Sequence, residues 1–183
     1  MVFVNSLWLF CLIDKEVIRV IKLRYVKKED AKRFYEILNK IDTKYYYSTI
    51  PKSIESERKW IERRKYKREK NQEYNYTIIY KEKVVGGCGI TIYREYDHVG
   101  EIGYFVDNEF AGKGIATQAV RLLEKKAFND LSLVRLEIRM DPLNKASEKV
   151  AIKNGYKKEG LLKKIIKFQD NYYDNFLYAK IRA

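Results

Sequence analysis

The stretch EIGYFVDNEFAGKGIATQAVRLLEKKAF, Glu101 to Phe128, decides the fold. Its first residues have the character of a β-strand, read here over Gly100–Val106. Ile115, Ala119, Leu122 and Leu123 then recur on one face of a helix, read over Lys113–Phe128. Between the two lies a turn with Gly112 and Gly114 and no side-chain anion near the helix start. The first turn of a helix leaves backbone N–H groups without partners and carries partial positive charge. Glycines there remove the Cβ atoms that would hold a second molecule off the backbone, and Lys113 adds a full charge. The combination describes a phosphate or pyrophosphate cradle. A G-x-G turn alone is equally at home as plain structure. GKGIAT lacks the third glycine of the dinucleotide fingerprint, and GxxxxGKS/T occurs nowhere in the chain.

Working outward, VIRVIKLRYV (Val17–Val26) reads as a strand, and Ala31, Phe34, Ile37, Leu38 and Ile41 give the next segment helical spacing. YYYSTIP (Tyr45–Pro51) is loop-like. Ser53 is a good N-cap for a helix to Lys70 with Glu55 and Glu57 in its first turn. EYNYTIIY and KVVGGCGITIY form two strands around a tight turn near KEK. Leu133–Met140 is a further strand, NKASEKVAIKNG a helix ended by Gly155, and the rest a hairpin turning at QDN. The order β-α-α-β-β-β-α-β-α-β-β predicts an α/β or α+β sheet with both antiparallel and parallel pairs.

The 183 residues, 46% of them hydrophobic, suffice for one domain with a substantial core. We assign it to 17–183, with 1–16 as an apolar extension. That extension contains VFVNSLWLFCLI (Val2–Ile13), 12 residues long and short of the ~20 that a bilayer requires. It lacks the flanks of a secretory signal, so no membrane span is expected. Cys11 and Cys88 are isolated thiols, as in a reduced, cytoplasmic protein. No Cys/His/Asp group has metal-ligand spacing. A net charge of +13 attracts phosphorylated cofactors, RNA or acidic surfaces, and equally describes a solvated lysine surface.

Taken together, EIGYFVDNEFAGKGIATQAV, RLEIRM and DPLNKASEKVAIKNGYKKEGLL resemble the Gcn5-related N-acetyltransferase (GNAT) superfamily, in particular its RimJ/RimL branch, which acetylates N-terminal amines of ribosomal proteins. The likeness is specific over Glu101–Leu161 and looser from Ile21 to Ile181. It implies the GNAT fold, a mixed and mostly antiparallel sheet splayed between its fourth and fifth strands and flanked by helices. It also implies acetyl-CoA as acetyl donor. Tyr104, Phe105 and Val106 match the strand whose backbone pairs with the pantetheine arm. Gly112, Lys113, Gly114, Ile115, Ala116 and Thr117 match the pyrophosphate loop, and Asn144 the asparagine that contacts the cofactor from the next helix. Glu109 departs from the superfamily, which has glutamine or arginine there.

Acyl transfer to an amine requires a base, an oxyanion donor and a protonated leaving thiol. At pH 7 deprotonating a lysine costs roughly 4.6 kcal/mol and an α-amine about 1 kcal/mol, so an α-amine needs only a weak base. A strand amide near Phe105 is the expected oxyanion donor. Glu101, on the face of Gly103 and Phe105, is the first candidate base, and Glu137 the second. Either residue equally suits a surface ion pair. The tyrosine acid of many relatives is replaced by Ala151. RimL-type sequences carry a serine three residues after the asparagine, so the resemblance implies Ser147 as the candidate for protonating or orienting the thiol; Tyr156 matches an aromatic position that packs. His98 falls in a loop.

Basic helix 58–70 holds eight Lys/Arg and two Glu, and in this fold borders the acceptor site. A solvated face and a ribosome or rRNA contact both fit it. The expected acceptor is a protein N-terminal α-amine. A small-molecule amine (antibiotic, polyamine or amino acid) and a non-catalytic RNA- or ribosome-binding module are the alternatives. A homodimer and a monomer are both compatible with the sequence.

Overall fold

The computed structural model describes residues 21–41 and 50–182. The apolar extension, the first four residues of the strand expected at Val17–Val26, and the aromatic run Tyr45–Tyr47 lie outside the described residues. Seven strands and four helices follow in the expected order: β1 (Lys22–Tyr25), α1 (Ala31–Leu38), α2 (Ile54–Glu69), β2 (Glu73–Tyr80), β3 (Lys83–Ile92), β4 (Val99–Val106), α3 (Ile115–Lys125), β5 (Arg135–Met140), α4 (Lys145–Lys153), β6 (Lys157–Phe168) and β7 (Asn171–Ile181). The strands form one sheet in the order β1-β2-β3-β4-β5-β7-β6.

Every pair is antiparallel except β4–β5. That parallel pair holds over three positions only, Val99↔Arg135, Gly100↔Leu136 and Glu101↔Glu137. Toward β3, by contrast, β4 is paired from Gly100 through Val106. Beyond Glu101 the β5-facing edge of β4 is therefore open, and the sheet splays where the family resemblance places the splay.

The two faces carry different cores, as the period-2 alternation of a strand requires. Ile102 joins Ile115, Ala119, Val120 and Leu123 of α3 and Ala151 of α4. Phe105 turns the other way, edge-on to Phe34 of α1 at 5.2 Å, in a cluster completed by Ile61 of α2. Burying a side chain such as Leu123 contributes roughly 1.5–3 kcal/mol. The α3 stripe differs slightly from expectation: Val120 is buried, whereas Leu122 is only partly so. The helix is also shorter than the Lys113–Phe128 reading. It begins at Ile115 because Gly112 and Gly114 both sit at φ 74°, outside the right-handed range. It ends at Lys125 in a wider π-turn, Lys126–Asp130. The β2–β3 hairpin turns on Lys81 and Glu82, both at positive φ as a two-residue turn demands.

Candidate active site

The β4–α3 connection builds the first half of the site. Asp107 caps a 3-10 turn, Asn108–Phe110, by accepting from the Glu109 N–H at 3.0 Å. Arg33 of α1 pairs with the same aspartate and ties the turn to the opposite face. Lys113 folds back over the Phe110 ring, and its Nζ donates to the Glu109 carbonyl at 2.8 Å. Gly114 then caps α3 with no side-chain acceptor and no acid in the first turn. The first helical bond runs from Gln118 N to Gly114 O, so the amides of Ile115, Ala116 and Thr117 have no helical carbonyl behind them. A Cβ on Gly112 or Gly114 would meet nothing within 4 Å. Donors, dipole and open space together fit a diphosphate.

The second half is the open edge of β4. Asp107 N donates to Val85 O at 2.8 Å and Val99 O accepts from Tyr93 N at 3.1 Å, so the odd-numbered residues of β4 direct their backbone groups at β3. By alternation, the amides of Tyr104 and Val106 face the splay, and that of Phe105 faces β3. Of the three strand amides near Phe105, those of Tyr104 and Val106 are therefore the ones directed into the opening.

Side chains divide between the two faces of the same strand. Toward α4, Asn144 is the N-cap, accepting from Ser147 N at 3.0 Å. This fixes Ser147 with its Oγ 2.8 Å from the Tyr104 phenol. Burial raises the Tyr104 hydroxyl to about 12, although its bond to Ser147 works in the opposite direction. Ala151 and Tyr156 are buried in the α3/α4 core.

On the other face, Glu101 and Glu137 lie side by side in the parallel register. The Tyr93 hydroxyl is 2.8 Å from Glu101 Oε2 and 3.1 Å from Glu137 Oε2. Glu137 is buried and crowded with donors: Arg135 Nε at 2.8 Å on one oxygen, Arg139 Nη2 at 3.0 Å on the other. Burial pushes its carboxyl upward, but the bonds from Arg135, Arg139 and Tyr93 outweigh that and hold it below the ordinary carboxylate range. Arg135 in turn chelates Glu159 at 3.0 and 2.6 Å. Glu101 is only half-buried, with Arg139 Nε at 3.8 Å. A recess of about 430 Å³ is lined by Glu137 with Tyr93, Tyr96, Val99, Arg135 and Arg139.

Tyr93 escaped the sequence reading, as did the side-chain contact of Tyr104, which that reading had placed in the site through its backbone alone. Tyr93 continues the alternation of Thr91, which pairs with Glu101, so its face could have been inferred. The reach of the Tyr104 side chain to α4 required the packing itself. His98 is exposed in the β3–β4 loop, 3.8 Å from Asp97. In α2 much of the charge is internally engaged: Arg64 and Lys67 pair with Glu73, Arg58 with Glu55, and Arg68 covers the Tyr25 ring. Among the described residues no helix is long and apolar enough to cross a membrane.

Residues 21–157 match the family model described as an acetyltransferase (GNAT) domain. The chain is 32% identical to the probable N-acetyltransferase YjcK of Bacillus subtilis over 83% of each chain. It is 28% identical to the ribosomal-protein-serine acetyltransferase of Escherichia coli, over 88% of this chain and 92% of that protein. Among solved structures, the microcin C7 self-immunity acetyltransferase MccE, in complex with acetyl-CoA and AMP, superposes with a TM-score of 0.77 at 25% identity, covering 88% of this chain and 92% of that one. The glycine turn, the splayed β4–β5 pair and these matches lead to one conclusion: the chain belongs to the GNAT family of N-acetyltransferases.

Proposed function

We propose that this protein transfers the acetyl group of acetyl-CoA to the N-terminal α-amine of a protein, of the ribosomal-protein type. The observation that carries the donor half is the unpaired β4 edge leading into an open, uncapped helix start. The amides of Ile115, Ala116 and Thr117, with Gly112, Lys113 and Gly114, would hold the diphosphate. The backbone of Tyr104, Phe105 and Val106 would run beside the extended arm, and Asn144 would contact it from α4. Bound there, the thioester supplies an acetyl carbonyl activated for attack.

The chain's own residues then divide the work. The Tyr104 and Val106 amides donate to the oxygen that gains charge, a contribution of order 3 kcal/mol. Glu101 takes the amine proton, directly or through water. Its side chain is 35% exposed against 8% for Glu137, whose oxygens are occupied by Arg135, Arg139 and Tyr93. A carboxylate is a weak base, which suits an α-amine and not a lysine. Ser147 lies on the α4 side, where the thiol would leave. Amine and thiol would thus approach the opening between β4 and β5 from opposite faces.

The near full-length match to a ribosomal-protein-serine acetyltransferase supports a protein acceptor. The exposed cations of helix 58–70, such as Lys59 and Arg63, would help draw the enzyme toward ribosomal RNA. The likeness to MccE supports a second reading, a small-molecule amine acceptor. The test is incubation of the purified protein with acetyl-CoA and ribosomal proteins bearing free N-termini, read by peptide mass spectrometry. A 42-dalton-type acetyl increment on an α-amine is expected. Acetylation confined to small amines would replace this reading with the second.

A further inference from the structure

We propose that Tyr104 is a positioning residue for the departing thiolate, acting through Ser147. The inference rests on the acetyltransferase reading above and concerns how this chain manages without a tyrosine at Ala151. That alanine is fully buried, so α4 offers no phenol from this position. A phenol reaches α4 from β4 instead, with 2.8 Å between Tyr104 Oη and Ser147 Oγ.

The bond leaves its direction open, since either oxygen can donate. An anion arriving at Ser147 would settle it. Once the Ser147 proton points at sulfur, Oγ must accept, and Tyr104 is the donor in place to supply it. Two hydroxyls in series then polarise one another, which strengthens the outer bond. Geometry favours this order. Ser147 is held at the start of α4 by its own N–H bonded to Asn144 Oδ1. The nearby ionic groups of α4 are engaged elsewhere: Lys145 pairs with Glu148 at 2.8 Å, and Glu148 also accepts from Tyr178 at 2.7 Å. Tyr156 is buried as well.

The proton balance closes without ionising Tyr104. As the thioester C–S bond breaks, its electron pair goes to sulfur while nitrogen forms the new bond to the acetyl carbon. The proton lost by nitrogen passes to Glu101 and on to solvent. Sulfur, held meanwhile by the Ser147 hydroxyl, finally takes a proton from solvent. Tyr104 keeps its own throughout, as a strongly desolvated phenol should.

The test compares the wild-type chain with Tyr104→Phe, Ser147→Ala and the double variant. The first readout is the titration of the coenzyme A thiol on the enzyme, followed by the ultraviolet absorbance of the thiolate. The second is the split between kcat and KM. Removing the phenol should lower the bound thiolate fraction about tenfold at a pH where the thiol is mostly protonated, and lower kcat by a similar factor, with KM for acetyl-CoA within about twofold. The double variant should be no worse than Ser147→Ala, because Tyr104 acts only through that serine. Coenzyme A bound with an unmoved thiol titration in Tyr104→Phe would overturn the proposal alone, as would additive losses in the double variant. Failure of the wild type to bind coenzyme A would overturn the acetyltransferase reading and this proposal with it. Thermal melting of each variant separates these outcomes from misfolding.

Discussion

Glu57 gives the sharpest quantitative test of the structure. It lies on the inner stripe of α2 with Ile61 and Arg64, only 5% exposed. Burial raises its carboxyl from 4.5 to about 6, and the attraction of Arg64 only partly offsets this. The difference of about 1.5 pH units corresponds to about 2 kcal/mol at 1.36 kcal/mol per unit. The sign follows from the upward shift. Stability is fully present below the unfolded value and is lost as pH rises through 4.5 to about 6. Glu57→Gln keeps the shape and removes the ionisation. The variant should therefore be more stable than wild type by about 2 kcal/mol at pH 7.5. For a chain of this size that raises Tm by roughly 4–8 °C. At pH 4.5 most of the gain should vanish. Differential scanning calorimetry at both pH values measures it. An equal gain at both, or a loss at pH 7.5, would refute the reasoning, because either would mean that the carboxylate pays no desolvation penalty.

Glu101→Gln should lower kcat by roughly 10²–10⁴, with the deficit shrinking above about pH 8, where α-amines deprotonate unaided; a steady-state pH profile checks it. Gly114→Ala places a side chain at φ 74° and over the open amides. It should destabilise the fold by about 1 kcal/mol and weaken acetyl-CoA binding at least tenfold by calorimetry. Glu137→Gln removes the anion on which Arg135, Arg139 and Tyr93 converge and should cost about 3 kcal/mol in urea unfolding. Because the Glu137 carboxyl is held low, its contribution is present above the ordinary carboxylate range and fades as acid protonates it. The difference between wild type and variant should therefore narrow toward low pH.

The order of elements was legible because each carries its own period: strands from EYNYTIIY and RLEIRM, helices from the Ile115 and Ala31 stripes. The glycine turn was legible as well, since absent Cβ atoms and absent acids are visible in the letters themselves. Less accessible was anything fixed by pairing across the sheet. Which of the β4 amides near Phe105 face the splay depends on the β3 register. The helix start was placed two residues early, because positive φ at Gly114 cannot be read from composition. That Glu137 would be encircled by guanidinium groups while Glu101 is left half-open depended on side-chain packing over three strands. Tyr93, the last residue of KVVGGCGITIY, was overlooked because nothing in the letters says that its hydroxyl reaches Glu101 and Glu137.

The three-rung seam between β4 and β5 has a mechanical consequence. On one side stand four strands and on the other three, and across most of their length the two panels share no main-chain ladder. An extended guest chain lodged there would serve as a stitch, lending its own amides to a tear that the polypeptide leaves unsewn. Such a guest would then be a removable piece of the β-architecture, fastening the panels while bound and loosening them when it departs.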